Sequence, residues 1–254
     1  MKSDPNDPAI WSDSHKINSF EVDPSNRATV QTLAKLMQES AWNHANSLKM
    51  GYSHLLEKSL VWILSRLKIR IHDFPAWGET IQVRTWPVGA YRLFALREFQ
   101  ILNEAGALAA EAKGAWFVLE QGSRRPIRIE PLFHRMNIPT GRSLFGEDLE
   151  RLPSPREYEG QSFFPVRFSD LDWHHHVNHV KYMEWILDSY PLEFHDQLRV
   201  ASLEINYLSE AHYGDEVSIR TQKPEDGSNS FLHSVFRKRD EQEICVASID
   251  WRER

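Results

Sequence analysis

The sequence predicts an α+β protein made of two tandem units. Each is a long helix wrapped by an antiparallel β-sheet, and the two sheets are expected to join into one continuous sheet. Three observations predict this. First, Leu67–Thr85 (LKIRIHDFPAWGETIQVRT) returns as Leu203–Thr221 (LEINYLSEAHYGDEVSIRT) at a constant offset of 136 (203 − 67 and 221 − 85), with Trp77-Gly78-Glu79 matched by Tyr213-Gly214-Asp215. Self-similarity at a fixed offset marks two copies of one structural unit. Second, each copy carries a helix-period stretch before it and strand-like alternation after it. Third, joining the sheets edge to edge covers two strand edges that are otherwise open to wrong pairing.

The elements follow in order. Residues 1–15 are polar and Pro-bearing and read as a loose arm, and Phe20-Glu21-Val22 as a short strand. Val30, Leu33, Ala34, Met37, Ala41, Ala45 and Leu48 step by three and four, which predicts a helix over 29–49 with its apolar stripe on the sheet and Gly51 as its C-terminal cap. Strands are expected at 61–71, 81–86, 91–102 and 107–119, with Asn103-Glu104-Ala105-Gly106 as a hairpin turn. Residues 122–160 hold Pro126, Pro131, Pro139, Pro153 and Pro155 without a sustained period, so they read as a surface linker between a unit over 16–121 and a unit over 161–254. The second unit opens on Phe164-Pro165-Val166, continues with a helix from Asn178 to Tyr190, and has strands at 200–208, 216–221, 231–238 and 243–251. Asn43 and Asn178 precede Gly78 and Gly214 by 35 and 36 residues, which places the two helices at equivalent positions.

Composition narrows the function. A net charge of −6 argues against a general nucleic-acid binder, so no nucleic-acid partner is expected. No apolar run approaches the ~18 residues of a membrane span. The N-terminal residues lack the apolar core of a secretory signal, and Cys245 is the only cysteine; a reducing, cytoplasmic setting is the expectation.

The chemistry is concentrated in DLDWHHHVNHVKY, Asp170–Tyr182. Asp170, Asp172, His174, His175, His176 and His179 fall within ten positions just before or at the start of the second helix. In an extended segment Asp172, His174 and His176 share one side. A carboxylate beside an imidazole fixes its tautomer and raises its basicity, and backbone N–H groups at a helix start hold an oxyanion. Such a set activates water. The chain has no G-x-S-x-G elbow for a serine nucleophile. Other readings stand beside this one. A histidine run is also a solvated loop; His175 and His179 at i, i+4 are also a helical metal pair, although no HExxH accompanies them and no metal is assigned; Asp170 also caps a turn and Asn178 a helix.

DLDWHHHVNHVKYMEWILDSYP resembles the D-L-D-x-N-x-H-V-N-N-x-K-Y-x-x-W segment of acyl-acyl-carrier-protein thioesterases, plant and bacterial enzymes with two tandem hotdog domains. Nearly the whole chain takes part, through ESAWNHANSLKMG, VWILSRLKIRI, FPAWGETIQVRTW and AKGAWFVLE. The resemblance implies a double-hotdog fold and hydrolysis of the thioester between a fatty acyl group and the phosphopantetheine arm of an acyl carrier protein. It puts the family's Asp on Asp172, its His on His176 and its Glu on Glu210. The family's Asn position holds His174, and its Cys position holds Ala211, which excludes a cysteine nucleophile there.

On that basis Glu210 and His176 deprotonate water, Asp172 orients the cluster, and amides at the helix start, at Val177 and Asn178, hold the oxyanion with help from His174. No cofactor is required. Phe74 stands in the first unit where Glu210 stands in the second (210 − 136), so the N-terminal unit is expected to bind the acyl chain, near Met37, Ala41 and Trp42, and the C-terminal unit to be catalytic. Arg124, Arg125 and Arg128, or Arg237, Lys238 and Arg239, offer basic groups for an acidic carrier. The duplicated fold supplies its own pseudo-dimer, and the chain is expected as a monomer or homodimer. Related activities remain open alongside: an acyl-CoA thioesterase, a hotdog dehydratase, or a non-catalytic acyl-thioester binding protein.

Overall fold

The structure, a computed structural model, describes residues 7, 9–158 and 161–254, apart from the side chains of 135 and 136. The chain divides into two compact units, Met1–Leu149 and Glu150–Arg254. The first contains β1 (Trp11–Lys16), α1 (Val30–Ser47), α2 (Tyr52–Leu56), β2 (Leu60–Ile71), β3 (Thr80–Tyr91), β4 (Phe94–Leu102), β5 (Leu108–Glu120), β6 (Pro126–Ile127) and α3 (Glu130–Met136). Its sheet runs β1-β3-β4-β5-β2 with β6 added on β5, and the named pairs are antiparallel. The second contains β7 (Gln161–Pro165), α4 (His179–Asp188), α5 (Leu192–Gln197), β8 (Leu198–Tyr207), β9 (Glu216–Gln222), β10 (Ser230–Arg237) and β11 (Gln242–Glu253), in the order β7-β9-β10-β11-β8. Strand for strand the two orders are the same. The hotdog arrangement of helix and antiparallel sheet is therefore present in each unit.

Sequence logic accounts for the main helix. Thr29 caps α1 by accepting the Thr32 N–H (3.1 Å), and Leu33, Ala34, Met37 and Ala41 are buried where the helix packs on β3 and β1. Burying Leu33 or Met37 stabilises the unit by roughly 1.5–3 kcal/mol each. The helix stops at Leu48, and Lys49 takes the left-handed conformation; Gly51 instead precedes α2 as its N-cap. The hairpin at Asn103–Gly106 closes through Asn103 N–H to Ala107 O (2.9 Å) and Gly106 N–H to Asn103 O (2.8 Å).

The expected loose arm is correct for none of the described residues 11–15: Trp11–Lys16 is an edge strand in register with Thr80–Thr85, while 1–6 and 8 lie outside the described residues. Phe20-Glu21-Val22 is not a strand, because Ser19–Glu21 forms a 3-10 turn in which the Glu21 carboxylate accepts the Asn18 N–H (2.7 Å).

The segment 122–160 is more ordered than a bare crossing, although 159 and 160 lie outside the described residues. Ile129 and Leu132 are buried against Met50, Leu55 and Val118. Residues 141–149 then lie along the sheet. Gly141 N–H donates to Pro87 O (2.9 Å), Leu144 N–H and Phe145 N–H reach the Glu98 carboxylate (2.7 and 3.2 Å), and Lys113 Nζ donates to Glu147 O (2.7 Å). Proline removes helix and strand periodicity from this stretch. Its order comes instead from long cations and one buried carboxylate in the sheet that its backbone satisfies.

Two histidines in the cores set an acid limit. Burial pushes His233 down to about 3 from 6.5, and its ring contacts Tyr190 Oη (3.1 Å) and Thr221 Oγ1 (3.0 Å). His44 is pushed down to about 3 by burial and by the nearby Arg97 charge. In both, the unfolded chain takes up a proton before the native one does. Stability is therefore complete above the unfolded value and is lost as pH falls from 6.5 toward 3, by up to about 1.4 kcal/mol per pH unit through His233 alone. Urea unfolding at pH 7 and 4.5 is expected to show that loss, and His233→Gln to reduce its slope; a pH-independent midpoint would count against it.

Candidate active site

The histidine segment is a tight loop closed by one carboxylate. Asp172 Oδ1 accepts the backbone N–H groups of His174 (2.9 Å) and His176 (3.2 Å), Asp172 N–H donates to His176 O (2.8 Å), and His175 N–H donates to Asp172 O (3.0 Å). His175 sits at φ 64, a left-handed turn residue ahead of α4. This removes the helical His175–His179 metal pair, because only His179 is helical. Asp170 accepts the Arg167 N–H (2.8 Å) and faces Lys181 Nζ (3.5 Å), so it caps the 3-10 turn Phe168–Asp170 and anchors α4. Asn178 is the N-cap of α4, accepting the Val180 N–H at 3.2 Å.

The same loop exists in the first unit. Asp23 Oδ1 accepts the N–H groups of Ser25 (2.9 Å) and Arg27 (3.3 Å), Asp23 N–H donates to Arg27 O (2.8 Å), and Asn26 N–H donates to Asp23 O (2.9 Å) at φ 64. Asp23, Asn26, Arg27 and Thr29 thus correspond to Asp172, His175, His176 and Asn178 at an offset of 149 (172 − 23). Thr29, not Asn43, is the counterpart of Asn178. The Gly turns correspond at 136, as expected: Gly78 and Gly214 have φ 86 and 85, a region glycine enters freely, and Glu79 and Asp215 each accept the N–H three residues back (3.0 and 2.9 Å).

What differs is the side-chain chemistry on the shared frame. In the second unit His176 Nε2 lies 3.8 Å from Glu210 Oε2, both partly exposed. The gap is too long for a direct hydrogen bond, and at this distance both atoms can reach one shared water beside them. The His212 ring centroid is 5.3 Å from that of His176, and His174 lies tilted against Trp173 (3.7 Å) with its centroid 6.5 Å from His176. Partial burial holds the His174 pKa below the ordinary imidazole value; His176 adds to this and Asp172 opposes it. His174 is therefore neutral at neutral pH. In the first unit Arg27 Nη1 donates to the Phe74 carbonyl (3.0 Å), and Phe74 is buried. An always-charged guanidinium beside a ring has no proton to exchange.

Glu210 is held through its backbone. Arg237, clamped by Asp240, donates to Glu210 O (2.5 Å), and Ala211 N–H donates to Tyr182 Oη (3.1 Å). Arg237 is thus buried and engaged. Lys238 pairs with Glu216, and Arg239 pairs with Asp215 (3.0 Å), so this trio is committed inside its own unit. Arg124, Arg125 and Arg128 are exposed.

Two expectations need correction. The amides of Val177 and Asn178 are not available to an oxyanion, because they donate to Ala211 O (3.2 Å) and Asp170 O (2.9 Å). Trp42 is not on the buried face of α1 with Met37 and Ala41: it is 37% exposed and stacks on Tyr52. His212 is the residue that sequence reasoning passed over. Its signal was present, two positions after Glu210, where an extended chain puts both on one side. The one thiol, Cys245, is fully buried with its pKa raised by that burial, which leaves it inert as a nucleophile.

Comparisons with known proteins agree with this architecture. Family models described as "Acyl-ACP thioesterase N-terminal domain" and "Acyl-ACP thioesterase C-terminal domain" match residues 8–135 and 154–253. The chain is 28% identical to oleoyl-acyl carrier protein thioesterase 1, chloroplastic, of Arabidopsis thaliana, over 94% of this chain and 75% of that protein. It superimposes on an acyl-ACP thioesterase from Bacteroides thetaiotaomicron with TM-score 0.86 at 25% identity, over 96% and 98% of the two chains. The 12:0-ACP thioesterase of Umbellularia californica, at 20% identity, shares the fold with TM-score 0.86 over 97% and 98%.

Proposed function

The chain belongs to the acyl-ACP thioesterase family, and from that premise we propose how its second unit releases free fatty acid from acyl carrier protein. The enzyme is a thioester hydrolase. The observation that carries the mechanism is the 3.8 Å separation of His176 Nε2 and Glu210 Oε2, set against Arg27 and Phe74 on the duplicate frame.

A water held between His176 and Glu210 attacks the thioester carbonyl carbon while its proton passes to this pair. The new C–O bond gives a tetrahedral oxyanion. Collapse breaks the C–S bond, and the departing phosphopantetheine sulfur receives the proton, so water and thioester become carboxylic acid and thiol. Asp172 is a positioning residue: with its two backbone N–H bonds it fixes where the His174 and His176 side chains emerge. With the Val177 and Asn178 amides occupied, the neutral His174 ring takes the role of oxyanion donor, since one ring nitrogen of a neutral imidazole carries a hydrogen. His212 lies edge-on to His176 and restricts its rotation.

The acyl chain is assigned to the first unit, along the α1 face that holds Met37 and Ala41. The exposed Arg124, Arg125 and Arg128 are assigned to the acidic carrier. A cytoplasmic setting is proposed on the single buried cysteine, and no described helix is long and apolar enough to cross a membrane. Thiol release measured with matched acyl-carrier and acyl-CoA substrates across chain lengths tests the reading. Turnover is expected to favour the carrier-linked series and to fall steeply with salt for that series alone. Equal rates on both, or an enoyl product, would contradict it.

A further inference from the structure

The first unit holds a second polar cluster, distinct from the Asp23 loop. Arg97 on β4 lies on the sheet face that meets α1 and is half-buried there against His44. Its partners among the described residues are neutral: Nη1 contacts His44 Nδ1 (3.0 Å) and Thr85 Oγ1 (3.2 Å). Because a guanidinium only donates, His44 Nδ1 is the acceptor and His44 is the neutral tautomer with its hydrogen on Nε2. Desolvation draws the Arg97 pKa down to about 10, so the group stays charged at neutral pH.

The neighbouring Glu98 does not neutralise it. Glu98 points to the opposite face of the sheet, where its carboxylate is taken by Ser143 Oγ and by the N–H groups of Leu144 and Phe145. Two further polar atoms of the same neighbourhood are buried and unsatisfied. One is the hydroxyl of Ser40, fully buried one helical turn before His44. The other is the indole nitrogen of Trp11, whose ring stacks on His44 (5.8 Å) and whose strand position faces Thr85. A half-buried cation with no carboxylate partner among the described residues, beside two buried orphan polar groups, is costly to the fold, and groups of this kind have partners in most native interiors.

We infer that Arg97, with Ser40, His44 and Trp11 around it, is an interior subsite for the carboxylate of an aliphatic chain. One source of that carboxylate is the head group of the free fatty acid itself, entering as product. The other is a second carboxyl at the far end of an acyl chain. The fork of donors on Arg97 matches a carboxylate bidentately, and the apolar Met37 and Ala41 on the same face of α1 accommodate methylene groups. The subsite is read by binding without turnover, so its failure leaves the hydrolytic assignment of the second unit intact, and the reverse.

Calorimetric titration of the full chain with dodecanoate, dodecanol and monomethyl dodecanedioate tests the inference. The wild-type chain is expected to bind dodecanoate or the half-ester at least about tenfold tighter than dodecanol, and Arg97→Met to abolish that preference. A preference confined to the half-ester identifies the distal carboxyl as the ligand; one shared with dodecanoate identifies the product head group. Arg97→Lys, which keeps the charge and loses the fork, is expected to retain part of it. Because Arg97 has no carboxylate partner among the described residues, Arg97→Met is also expected to leave the thermal midpoint unchanged or to raise it by a few degrees. Equal affinity for carboxylate and alcohol in the wild-type chain, a preference that survives Arg97→Met, or a variant that melts several degrees lower or fails to fold each overturns the inference.

Discussion

His176→Ala is expected to lower turnover on fatty acyl-carrier thioester by about 100-fold or more while leaving the fold intact. The imidazole is 43% exposed, so its removal leaves no large cavity, and the loop around it is closed by backbone bonds to Asp172 that do not involve the ring. If His176 and Glu210 act on one water, as proposed, their effects are far from additive: the double variant His176→Ala/Glu210→Ala should be little slower than the worse single one. Initial rates of thiol release for the four proteins, with circular dichroism to establish folding, measure this directly. Multiplicative losses would mean that the two groups act at separate steps.

The second large effect contrasts the two copies of the loop. Asp172→Ala removes the acceptor for the His174 and His176 N–H groups and frees both rings from their positions. Turnover is expected to fall by about 100-fold or more, as when any group that fixes catalytic geometry is lost. Asp23→Ala removes the equivalent acceptor for Ser25 and Arg27. Its expected cost is about 1–3 kcal/mol of stability from unsatisfied N–H groups, with turnover per folded molecule close to wild type. Parallel denaturation and rate measurements on the two variants separate the outcomes. An equal loss of turnover in both would mean that the first unit also takes part in the chemistry.

The two offsets explain what was legible in the sequence. The Gly78 and Gly214 turns repeat in the residues themselves, because only glycine enters φ near 85 cheaply and the acid after it closes the turn. That repeat placed the strands and the Glu210–Phe74 contrast. The Asp loops repeat in backbone hydrogen bonds, and DPSNRA and DWHHHV share little beyond the aspartate. Between loop and turn the first unit has thirteen more residues than the second (149 − 136). Its main helix has 18 residues against 10, and α2 follows it. Carrying nearly equal distances back from the two glycines, 35 and 36 residues, through that helix is what paired Asn43 with Asn178.

Other misses have equally local causes. Trp42 fits an apolar stripe on a helical wheel drawn broadly, but α1 buries Ser40 and His44 on the face that Trp42 leaves, and there His44 pairs with Arg97. The stretch 141–149 has no pattern of its own to read, since its order is supplied by Glu98 and Lys113 from distant strands. The roles of Val177 and Asn178 were set by where their N–H groups point. That depends on Ala211 and Asp170, which no spacing rule brings to them.

One water-activating site per chain, in the second unit, is the central proposal, and the isosteric change Glu210→Gln tests it most directly. It keeps the shape of the side chain and removes its capacity to take a proton. Thiol release from fatty acyl-carrier protein by the wild-type chain and by Glu210→Gln, measured side by side at neutral pH, is predicted to differ by about 100-fold or more. Near wild-type turnover in a folded Glu210→Gln protein would contradict the account.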